Sequence, residues 1–187
     1  MLAYIFWHWR RPGVERAAYE QTLSMFHGAL REAGPPGFIG SAVCRSGPVP
    51  WLSVGAEVYA DWYLLESSAA LDPLNEAAVS GRRRRPHDDA ARAAAGGAGG
   101  LYRLADGVAE IAHARWTAWF SKPEGQAYEE LYAEARGWLR QPGSGLWRRQ
   151  MVLGPAPEFC LAAPGRVELA ARLGAFELEP KLVPMRG

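Results

Sequence analysis

Lysine is nearly missing from this chain of 187 residues: of its 21 basic residues only Lys122 and Lys181 are lysine, and the rest are arginine. Against 20 acidic residues the formal net charge is +1. No global field therefore recruits nucleic acid or another polyanion, although arginine suits fixed, two-pronged contacts. Cysteine is as scarce. Cys44 and Cys160 stand alone, too few for a disulfide scaffold and spaced unlike a metal or redox motif. No apolar run approaches the roughly 20 residues that a membrane helix needs. The opening MLAYIFWHWRR has no basic region before its apolar stretch and no small-residue cleavage site, so it reads as a first strand and not as a signal peptide. The expectation is a cytoplasmic protein that binds neither membrane nor nucleic acid. HExxH, paired cysteines, a nucleophile elbow and a dinucleotide fingerprint are all missing, so neither metal nor cofactor is expected.

What is present is apolar and aromatic. Hydrophobic residues make up 49% of the chain and eight are tryptophan, which argues against disorder and for a real core. The stretch Ala56–Ser67, AEVYADWYLLES, alternates at period two. Val58, Ala60, Trp62 and Leu64 line one dry face, and Glu57, Tyr59, Asp61, Tyr63 and Leu65 a mixed one. Leu2–Arg10 also alternates, with Tyr4, Phe6 and His8 against Ala3, Ile5, Trp7 and Trp9, as in a strand covered on both sides. Val14–Ala33 reads as a helix whose apolar stripe is Tyr19, Leu23, Phe26 and Leu30, stopped by Gly34-Pro35-Pro36-Gly37. Phe38–Arg45 is a second strand, and a helix begins near Ala69. The sequence Gly81-Arg82-Arg83-Arg84-Arg85-Pro86 ends it. Asp88–Ala95 reads as a short helical run, Gly96–Gly100 as a flexible turn and Leu101–Ala105 as a short edge-like strand.

The second half repeats the first. Ile111–Ser121 alternates like a strand, and Lys122-Pro123-Glu124-Gly125 supplies a turn. Tyr128, Tyr132, Ala135 and Leu139 repeat the helical stripe, each 109 positions further on than its counterpart. Gln141–Gly145 stops that helix. Leu146–Leu153 and Glu158–Ala163 follow as strands, Arg166–Leu173 as a short helix and Ala175–Val183 as the last strand. The order is β-α-β-β-α-β twice, an α+β fold of two tandem ferredoxin-like units, residues 1–108 and a shorter 109–187.

In this element order and internal repeat, nearly the whole chain resembles the dimeric α+β barrel superfamily in its fused form, in which one chain carries both antiparallel sheets of the barrel. That superfamily includes quinol-forming monooxygenases, lactone isomerases, polyketide cyclases and haem-bearing branches. The resemblance implies a pocket for a small apolar or aromatic molecule between sheet and helices, with one of Trp62 and Tyr63 lining it. It transfers no haem-ligand role to a numbered histidine.

His8, flanked by Trp7 and Trp9, is either a neutral base in an aromatic cavity or a hydrogen-bonded core histidine. Glu57, Asp61, Tyr59 and Tyr63 share a strand face: inside a cavity an acid among tyrosines has a raised pKa, and on an exposed face these are edge polar residues. His87 precedes Asp88 and Asp89, which either hold it in one tautomer at the pocket mouth or merely cap a helix. His27 is expected on a solvated helix flank and His113 at a rim. Arg82–Arg85 is a solvated run or a carboxylate or phosphate clamp. His8, Asp61, Tyr63 and His87 are thus the candidate catalytic residues. The classes left open are a cofactor-free monooxygenase, isomerase or cyclase, a non-catalytic binding module, and a structural protein whose cavity tryptophan fills. A monomer or a homodimer fits each.

Overall fold

The computed structural model describes residues 1–55, 57–150 and 154–185. Strand β1 (Leu2–Arg10) leads into helix α1 (Arg16–Glu32), then β2 (Phe38–Ser46), β3 (Val58–Leu65), α2 (Leu71–Ala78), α3 (Arg84–Ala93) and β4 (Ala94–Gly107). The second half runs β5 (Trp116–Phe120), α4 (Tyr128–Trp138), β6 (Gly145–Arg149), β7 (Phe159–Ala163), β8 (Phe176–Leu178) and β9 (Lys181–Leu182). The fold is α+β. The strands form a single antiparallel sheet in the order β8-β5-β7-β6-β4-β1-β3-β2-β9, curled into a half-barrel. Only residues 179 and 180 separate β8 from β9, yet these strands sit at opposite edges of the sheet. At about 3.6 Å per residue that link brings the two edges within about 11 Å, so the sheet has to curl.

The concave side is packed with tryptophan. Trp7, Trp62 and Ala3 from the first half meet Trp119, Trp147 and Cys160 from the second in one cluster. Trp7 and Trp119 cross edge to face at 5.5 Å, and Trp62 and Trp147 at 5.6 Å. The space left there is about 20 Å³, room for about one water. This side of the sheet is therefore closely packed.

On the convex side each half carries its helices. Under α4, Leu131, Ala135 and Trp138 are the fully buried positions, and Tyr128, Tyr132 and Leu139 are half-buried. The predicted stripe is thus displaced. Its tyrosines lean outward because the Tyr128 hydroxyl donates to Glu158 and the Arg148 guanidinium stacks on the Tyr128 ring at 3.9 Å. In the first half Tyr19, Leu23, Phe26 and Leu30 are buried as their spacing predicts.

Several predicted elements change. Gly96–Gly100 is no turn. It lies inside β4, paired to β1 from Trp9↔Gly96 to Ile5↔Gly100, and tertiary pairing overrides the low strand propensity of glycine. Nor is Leu101–Ala105 an edge, since β4 lies between β1 and β6. The arginine run opens α3 instead of closing α2, because Pro86 falls in the first helical turn, where its missing N–H has no partner to lose. Ile111–His113 is a 3-10 turn ahead of a shorter β5, and the segment 166–173 holds only the 3-10 turn Ala171–Leu173. The last strand is split in two at Glu179-Pro180. The predicted strand ends at Ala56 and at 151–153 lie outside the described residues.

Candidate functional site

A cavity of about 380 Å³ opens between the first half of the sheet and helices α1, α2 and α3, within the range of small-molecule sites. Its floor follows from strand alternation. Tyr4, Phe6 and His8 of β1 lie opposite Tyr63, Asp61 and Tyr59 of β3, all on the helix-facing side. The rings of Tyr63, Tyr4, Phe6 and His8 step along this floor, each plane within 25° of the next and successive centroids about 6 Å apart. They tilt toward β4, where Gly97 and Gly99 leave no side chain beneath Phe6 and Tyr4.

At one end stands a polar cluster almost out of reach of solvent: His8 is 2% exposed, His27 1% and Asp61 4%. An ionised carboxylate only accepts, so its neighbours donate. His8 Nε2–H donates to Asp61 Oδ1 at 2.9 Å, and the Tyr63 hydroxyl donates to Oδ2 at 2.9 Å. His27 Nε2–H reaches Oδ2 at 3.3 Å. His8 Nδ1 pairs with the Tyr19 hydroxyl at 2.5 Å, as the acceptor in the ring form whose proton is on Nε2. His27 Nδ1 pairs with Ser41 Oγ at 2.8 Å. Asp61 thus carries two imidazole arms, one ending at Tyr19 in the cavity wall and the other at Ser41 on β2.

Burial alone would raise the Asp61 carboxyl. The charges and hydrogen bonds of His8 and His27 outweigh it, and the group is held well below the usual carboxylate range. The raised pKa predicted for this acid is therefore overturned in direction: the tyrosines were visible in the strand pattern, but the two imidazoles were not. Burial, reinforced by the Asp61 charge, pushes the Tyr19 and Tyr63 phenols up, so both hold their protons. The arrangement is a phenol, an imidazole and a carboxylate in series, able to take a proton at one end and hold the resulting imidazolium at the other.

Three of the four candidate residues, His8, Asp61 and Tyr63, meet in this cluster. His87 lines the same cavity from α3, its ring against Phe26 at 5.4 Å and its Nδ1 3.1 Å from Asp88 Oδ1. It sits on a helix, not on a loop. His113 is exposed beside Glu110. His27 is the correction: buried and bonded, not solvated. Its position carried a signal, because it follows Leu23 by four residues and precedes Leu30 by three, which puts it on the buried stripe. Tyr19 was legible as core but not as a hydrogen-bond partner, since its contact with His8 depends on how α1 crosses the sheet.

Arg82–Arg85 lies outside the cavity. Arg83 donates to the Ala77 and Ala33 carbonyls, and Arg82, Arg84 and Arg85 face Glu32, Asp88 and Asp89. Among the described residues no group of three potential ligands is arranged to hold a metal ion, and no helix is long and apolar enough to cross a membrane. Set beside known proteins, the chain matches no family model and no curated sequence.

Proposed function

We propose that the first-half cavity binds a small, largely apolar or aromatic molecule and that Tyr19, His8 and Asp61 transfer a proton to and from it. The observation that carries this reading is the series of short hydrogen bonds from the Tyr19 hydroxyl through His8 to a buried, ionised Asp61, ending in the wall of an otherwise apolar cavity. Burying an ionised carboxylate costs several kcal/mol unless partners satisfy it, and an apolar residue would serve packing alone. A ligand proton passes to the Tyr19 oxygen as Tyr19 hands its own to His8 Nδ1. The imidazolium is then held by Asp61, and the ligand is left as its conjugate base. Isomerisation, cyclisation and cofactor-free reaction with dioxygen each begin with this step. His87 stands at the opposite wall as a second proton-carrying group.

A non-catalytic binding module is the second reading. It is favoured by the three donors that already satisfy Asp61, as in a static core network. Deuterium uptake by 2-tetralone, a neutral two-ring enolisable ketone, separates the two. The catalytic reading expects uptake in heavy water to be faster with the wild-type protein than with His8→Gln; binding without accelerated uptake supports the module.

The strand orders β4-β1-β3-β2 and β8-β5-β7-β6 support reading the chain as two tandem ferredoxin-like units, residues 1–108 and 109–187, of the fused α+β barrel type. In this proposal the second half retains the packing and the first keeps the cavity. The unpaired thiols of Cys44 and Cys160 suit a cytoplasmic setting, with the protein as a monomer or homodimer.

A further inference from the structure

Resting on the cavity assigned above, we infer that its ligand is electrically neutral, and that carboxylates and phosphate esters are rejected. The inference comes from the charges facing the space. Two acids line it: Asp61 on the floor and Asp72 on α2 at the rim. Neither arginine nor lysine lines it among the described residues, although the chain carries 21 of them. The guanidiniums that come near are committed elsewhere. Arg83 donates to backbone carbonyls of Ala77 and Ala33, and Arg10 to that of Val14. Arg84 and Arg85 face Asp88 and Asp89 on the outer side of α3. At the start of α2, whose Leu71 lines the cavity, Asp72 stands in the first turn and offsets the positive end of the helix dipole.

An anion entering this space would lose its water without gaining an arginine or lysine partner. It would also stand near a charge of its own sign where the apolar walls weaken screening. A cation would find acids and aromatic faces, but Asp61 already accepts from His8, His27 and Tyr63, so no unsatisfied carboxylate waits for it on the floor. The polar groups left for a ligand are a hydroxyl, an amide and an imidazole, those of Tyr4, Asn75 and His87. Leu23, Phe26, Leu74 and Ala90 share the lining with them. A flat, uncharged ring system with hydroxyl or keto oxygens matches that lining.

Paired titrations at pH 7, read by ligand-observed NMR with the full-length protein, test the inference. Naphthalene-2-ol and naphthalene-2-carboxylate share a ring system and differ in charge. Naphthalene-2-ol is expected to bind at least tenfold tighter, with 2-naphthylmethylammonium no tighter than the neutral alcohol, and Asp72→Asn is expected to narrow the gap between alcohol and carboxylate. Equal or tighter binding of the carboxylate, or tightest binding of the ammonium, overturns the inference while leaving the cavity as a ligand site. No binding by any of the three overturns the ligand-site reading itself, and the inference with it.

Discussion

Tyr4 lies across Gly99: a methyl group built on that glycine would come within 2.7 Å of the Tyr4 hydroxyl oxygen and 2.8 Å of its ring. Phe6 covers Gly97 in the same way. The glycine run of β4 is therefore a seat for the aromatic floor. By letting the rings tilt toward β4 it leaves space beneath the helices. Gly97→Ala should push the Phe6 ring into the cavity, weaken naphthalene-2-ol binding about tenfold and cost about 1–3 kcal/mol by overpacking. The titration and a urea unfolding curve check both effects. Unchanged binding would mean that the ring has another way to yield.

Asp61 is the hub of the buried network, so removing its charge strands two imidazoles and a phenol. Asp61→Asn is expected to lose about 3 kcal/mol of unfolding free energy at pH 7, measured by urea denaturation. A loss below about 0.5 kcal/mol, the scatter of ordinary surface changes, would show that the hydrogen bonds drawn to this carboxylate contribute little.

The same group sets an acid dependence. Its pKa in the folded protein lies below that of an unfolded aspartate, about 3.9. The unfolded chain therefore binds the proton first, and stability falls as pH drops. The contribution is fully present above about pH 5 and is progressively lost as pH falls through 4 toward the lower folded value. The difference in unfolding free energy between wild type and Asp61→Asn should shrink over that window. A constant difference from pH 6 to pH 3 contradicts the assignment.

Burial pushes the Cys44 thiol up to about 12 and raises that of Cys160 as well. Both residues are buried. Iodoacetamide at pH 8 should add nothing to the native protein in an hour and two groups in urea, read by intact mass. Rapid labelling of either thiol without denaturant would show that the tryptophan-filled interior opens.

The sequence carried the site's floor but not its far wall. Alternation in Leu2–Arg10 and around Asp61 put Tyr4, Phe6, His8, Asp61 and Tyr63 on common faces, because period two is a local property of a strand. The contact between those two strands, and the arrival of His27 and Tyr19 from α1, depend on register and on the helix crossing, which local pattern does not encode. The turn expected at Gly96–Gly100 fails for a related reason. Alone, such a run favours a turn; placed beside Trp9, Phe6 and Tyr4 it is the one kind of strand that accepts their rings. Five of the eight tryptophans, Trp7, Trp51, Trp62, Trp119 and Trp147, pack in the sheet interior, a choice of face that depends on how the two halves meet.

Tyr19→Phe keeps the ring and the packing and removes only the oxygen hydrogen-bonded to His8. Deuterium uptake by 2-tetralone in heavy water, followed by proton NMR at pH 7 with equal concentrations of wild type and variant, tests the proton relay most directly. The account predicts that wild type accelerates uptake over buffer and that Tyr19→Phe loses about a hundredfold of that acceleration while binding the ketone with unchanged affinity. Equal acceleration by both proteins, or none by the wild type although the ketone binds, would contradict it.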